Sequence, residues 1–61
     1  AIFFEGDNMQ INGVEGAVTI YNASGIAVWQ GNINGSLSLP VNGNGVYLVV
    51  TPEKVYKVVK Y

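Results

Sequence analysis

The sequence predicts an all-β fold: a small β-sandwich of about seven short strands, in one domain spanning residues 1–61. Three observations carry that prediction. Val, Ile, Thr, Tyr, Phe and Trp recur along the whole chain, whereas the good helix formers are thin and never fall at helical spacing. Asn-Gly pairs starting at Asn12, Asn34, Asn42 and Asn44 place turn chemistry at short intervals. Short apolar runs alternate with these breaks at the spacing of a sandwich rather than of helices.

Taken in order, residues 2–5 read as a strand, Gly6-Asp7-Asn8 as a turn, and residues 9–11 as the returning partner. Asn12-Gly13 is expected to break the chain there. Residues 17–22 and 26–30 form the clearest hairpin. With Ala23 and Ser24 in a type I turn and Gly25 left-handed, Asn22 faces Ile26. Val18, Ile20, Ile26 and Val28 then share one face. That register puts Thr19, Tyr21 and Trp29 on the opposite face, with Thr19 and Trp29 as a cross-strand pair.

Residues 31–35 read as a turn-rich connection. Residues 36–39 read as a short strand with Leu37 and Leu39 inward, ended by Pro40, which has no N–H to give a ladder. Residues 41–45 are a loop. Residues 46–51 are apolar on both faces, as in a central strand, so their pattern does not say which face is the core. Thr51-Pro52-Glu53-Lys54 is a turn with Pro at its favoured second position. Residues 55–61 form the last strand. Lys54, Lys57 and Lys60 fall on both of its faces, as on a solvent-facing edge guarded against sheet-to-sheet pairing.

At 61 residues the chain is near the lower limit for a self-sufficient core, burying only about 60% of its unfolded surface. It has no Cys and no His, which excludes disulfide staples, the usual zinc sites and Ser–His or Cys–His nucleophilic catalysis. Stability must come from sheet packing, a neighbouring domain or self-association. A net charge of −1 and a pI near 4.9 give no basic stripe for nucleic acid. No apolar stretch approaches the roughly 20 residues of a membrane-spanning helix. The opening residues lack the basic start and apolar run of a signal peptide. The chain does not open on Met, so it is expected to be processed or excised, with any export signal upstream.

Candidate chemistry is thin. Glu5 and Asp7 are two residues apart, but paired-carboxylate hydrolysis requires a cleft between them, and they read better as solvated turn residues. Asp7, Asn8, Asn42 and Asn44 offer oxygens of the kind calcium takes, yet only one is charged and no EF-hand spacing is present. Trp29, Tyr21 and Tyr47 are the aromatics from which a sugar-stacking platform would be built, although strand aromatics are more often core. No catalytic, metal-binding or cofactor-binding residue is assigned.

One order of features is informative. It runs Val18-Thr19-Ile20-Tyr21-Asn22, Gly25, Val28, Leu37, Leu39, Gly45-Val46-Tyr47-Leu48-Val49, and finally Tyr56-Lys57-Val58-Val59-Lys60. This order resembles the type A carboxyl-terminal sorting domain of the type IX (Por) secretion system. The likeness covers about the last forty residues, and Gly-Val-Tyr followed by the basic-apolar tail is its most specific part. The Pro-Asn-Pro opening of many members is absent.

The resemblance implies an Ig-like β-sandwich with Greek-key connections. It also implies a non-catalytic module read by outer-membrane secretion machinery, which exports an upstream cargo domain of the same chain through the periplasm to the cell surface. Carried over by position, Gly25 holds the hairpin turn, Gly45 and Tyr47 fix the central strand, and Tyr56, Lys57, Val58, Val59 and Lys60 form the segment that is read. A structural or adhesive appendage without a sorting role, and a small carbohydrate-binding module, are the alternatives.

Overall fold

The computed structural model describes all 61 residues, Ala1–Tyr61. It is all-β, with five strands: β1 (Ile2–Glu5), β2 (Asn8–Tyr21), β3 (Ala27–Pro40), β4 (Gly45–Val50) and β5 (Val55–Lys60). All pairings are antiparallel and belong to one hydrogen-bonded sheet. Along one side of β2, β1 pairs with its first residues and β4 with its last three, Thr19 to Tyr21. On the other side β3 pairs with β2 along nearly its whole length. The sheet curls into a half-barrel that brings β5 round beside β1.

The expected seven strands are therefore five, because two expected breaks are absorbed into long strands. Asn12-Gly13 does not end β2. Gly13 is an extra residue between the pairs Asn12–Ser36 and Val14–Gly35, held at φ 77°. A left-handed Gly in a bulge bends a strand without ending it. Residues 31–35 likewise stay in β3, where Gly35 sits opposite Val14 and bends with it. Gly16, at φ 113°, lies where a Cβ would come within 2.8 Å of Pro52. Its bare backbone lets the β4–β5 turn close over the middle of β2.

The 22–26 loop closes as expected. Gly25 has φ 82°, its N–H donates to the Asn22 carbonyl, and the Asn22 N–H donates to the Ile26 carbonyl. The Asn22 side-chain oxygen also accepts from the N–H groups of Ser24 and Ile26. Beyond the loop the expected register fails. Tyr21 pairs with Ala27, but Ile20 then pairs with Trp29, so Val28 is bulged out. Trp29 thereby joins Ile20 on the core side, while Ile26 and Val28 are 62% and 46% exposed. The pair expected between Thr19 and Trp29 is replaced by Thr19 with Gln30. The physical reason is payload: a core-facing indole buries far more apolar surface than a valine, and one bulged residue reverses the phase.

The concave side holds the core: Met9, Ile11, Val14, Val18, Ile20, Ile33, Val41, Tyr47, Val49 and Val58, with Ile2, Phe4, Trp29, Leu37, Leu39 and Tyr56 packed around them. Each fully buried aliphatic side chain contributes about 1.5–3 kcal/mol. Leu37 and Leu39 point inward, as expected.

Candidate functional site

The last strand divides cleanly by face. Its inward row is Tyr56, Val58 and Lys60, which pack against or lie within the buried side. Its outward row is Val55, Lys57 and Val59, directly opposite Val50, Leu48 and Val46 of β4. Leu48 and Val50 are in turn opposite Tyr21 and Thr19 of β2. Residues opposite one another in a sheet share a face, so β2, β4 and β5 present an outward surface of Tyr21, Val46, Leu48, Val50, Val55 and Val59 around Lys57. Leu48 and Val55 are among the most exposed large apolar side chains of the chain.

Lys60 is the main departure from the solvent-facing edge read in the sequence. It is buried to 7% exposure. Its ammonium donates to the Val41 carbonyl at 2.9 Å and lies 3.1 Å from Asp7 Oδ1. The Val41 N–H donates to the Asp7 carbonyl. One lysine thus joins the end of β5, the β1–β2 turn and the loop after β3. A buried ammonium is tolerated there because two of its three N–H donors have acceptors. Asp7 is itself exposed, so the hydrogen bond to the carbonyl matters more than the ion pair.

Lys57 is exposed. Lys54 lies 4.8 Å from the centre of the Tyr56 ring, a cation–π contact that holds the turn over the inward row. Thr51 organises the same turn. Its hydroxyl donates to the Lys54 carbonyl and accepts from the Glu53 and Lys54 N–H groups.

Gly45 begins β4 at φ 125°, and Tyr47 anchors that strand. The Tyr47 ring is 4% exposed and lies 5.8 Å from Phe4 at a tilt of 57°. Its hydroxyl reaches the carbonyls of Asn42 and Gly43 at 2.8 and 2.7 Å, pinning the loop that the sequence left irregular.

The proposed chemical groupings do not assemble. Tyr47 and Trp29 belong to the concave side and Tyr21 to the convex one, so the three aromatics form no common platform for a sugar. Glu5 accepts from Gln10 while Asp7 turns to Lys60, so the two carboxylates flank no shared cleft. Among the four oxygen donors considered for calcium, Asp7 already has its cation in the Lys60 ammonium. Two shallow depressions remain. One lies between the β2 bend and the β4–β5 turn, and the other is lined by Val28, Leu39, Pro40, Val41 and Asn42.

No family model matches the chain, and no curated protein or solved structure matches it either.

Proposed function

We propose that this chain is a non-catalytic sorting module, read by outer-membrane secretion machinery to export an upstream cargo domain and attach it at the cell surface. The observation that carries the reading is the outward row of β5. Val55, Lys57 and Val59, with Leu48 alongside, set one exposed cation in an apolar field. Contiguous exposed apolar surface with a polar marker is what protein recognition uses. The order of Gly-Val-Tyr and the basic-apolar tail points the same way.

This reading narrows the recognised segment. Tyr56, Val58 and Lys60 hold the strand in place, and Lys57 with Val59 is what a partner touches. The test is a fusion of the 61-residue chain to a reporter in a host carrying type IX machinery. The reading predicts reporter at the cell surface, and a reporter retained in the periplasm contradicts it.

A further inference from the structure

The sheet has strands paired on one side only, and they are not alike. β1 pairs only with β2 and lies beside β5, and β5 pairs only with β4 and carries the exposed Lys57. Lysines on an edge are a common defence against pairing with another sheet. β3 pairs only with β2. It runs for 14 residues without a single charged side chain, and its one Pro is its last residue. Its other long edge contacts no other strand.

The side chains of β3 are also incompletely covered. Of its inward row only Ile33 is buried, while Trp29, Leu37 and Leu39 are half-buried. Its outward row of Gln30, Asn32, Asn34, Ser36 and Ser38 is polar and neutral. A strand added at this edge would pair the free N–H and C=O groups and extend the cover over the inward row.

We infer that β3 is the self-association edge of this protein, pairing antiparallel with β3 of a second copy across a two-fold axis perpendicular to the sheet. Three features select a second copy over another partner. The neutral edge offers no charge by which to recognise a charged strand, and it meets its own copy with no like-charge conflict. The symmetry lets both copies curl to the same side. With the axis at Asn34, Ile33 meets Gly35 of the other copy and Gly31 meets Leu37, large against small, while the two apolar side chains Trp29 and Leu39 meet at the ends.

Of the remaining edges, that of β5 keeps the exposed Lys57 and that of β1 lies beside β5 across the mouth of the curl, so the assembly stops at two. An interface of standard size, about 800 Å² per partner, would take roughly one-fifth of the 3855 Å² surface. Edge pairing supplies part of that area, which makes this a reversible dimer.

Sedimentation velocity over a concentration series tests it. The wild-type chain should pass from 6.5 kDa to twice that mass as concentration rises. In this register Asn32 faces Ser36 of the other copy, and both are exposed. The double variants Asn32→Lys/Ser36→Lys and Asn32→Glu/Ser36→Glu should each be folded monomers by circular dichroism, and mixing them should restore the dimer. Hydrogen exchange on the wild type adds a readout that needs no variant, since β3 amides should gain protection as concentration rises. A wild-type monomer at every concentration overturns the inference. So does a dimer that survives in both charged variants, or a mass that grows beyond two copies.

Discussion

Replacing Tyr47 by Phe removes one oxygen and leaves the ring. The hydroxyl donates to the carbonyls of Asn42 and Gly43, at 2.8 and 2.7 Å, from a ring packed in the core against Phe4. A single hydroxyl proton serves the two acceptors, so the loss counts as one hydrogen bond plus the incomplete solvation of what it leaves. That is about 1–2 kcal/mol. Total stability for a chain of this length is about 3–9 kcal/mol, so the change is a sizeable fraction of it. In a domain this small, 1 kcal/mol shifts Tm by about 4–8 °C. Thermal unfolding followed by circular dichroism should show a drop of about that size or more. Hydrogen exchange should show faster opening of the 41–44 loop, with the β2–β3 ladder unaffected below the global limit. A Tm within a degree of wild type would show that the loop does not depend on the hydroxyl.

The bulge at Val28 makes a paired prediction. Trp29→Ala should cost about 3 kcal/mol, the lower end for an aromatic deletion since the indole is half-buried, whereas Val28→Ala should change stability by less than about 0.5 kcal/mol. Denaturant titration separates these outcomes, and the reverse order would restore the uninterrupted register. The glycines make another pair. Gly25→Ala adds only the cost of a left-handed residue, about 1–2 kcal/mol, because nothing lies within 4 Å of its Cβ position. Gly16→Ala should cost more, because its φ of 113° lies farther from the left-handed well and its Cβ would come within 2.8 Å of Pro52. Equal unfolding midpoints for the two variants would contradict the close packing of that turn.

What was legible in the sequence was mostly local. Gly25 marked its own left-handed position, and Thr51-Pro52 marked the last turn, because each depends on residues within four positions. Gly13 and Gly35 carry the same local signal but lie opposite each other's surroundings in a continuous β2–β3 ladder, where pairing turns a break into a bend. The side of Trp29 was not legible, because a single bulged residue reverses a period-two pattern. Lys60 was the least legible. A lysine near the end of an alternating strand reads as solvent-facing, and its burial depends on Val41 and Asp7, brought to it only by the curl of the sheet. For the candidate site, residues 46–51 announced two apolar faces. Only the register with β5 showed that the outward one surrounds Lys57.

The proposed function gives β5 a structural side and a side that a partner reads. Reporter export, measured beside Tm for Lys57→Glu and Lys60→Met, separates the two sides. Lys57→Glu should lose surface delivery while keeping the wild-type Tm. Lys60→Met should lower Tm through the lost bond to the Val41 carbonyl, and reduce export only as far as folding fails. Full export by Lys57→Glu would mean that the outward row is not what the machinery reads.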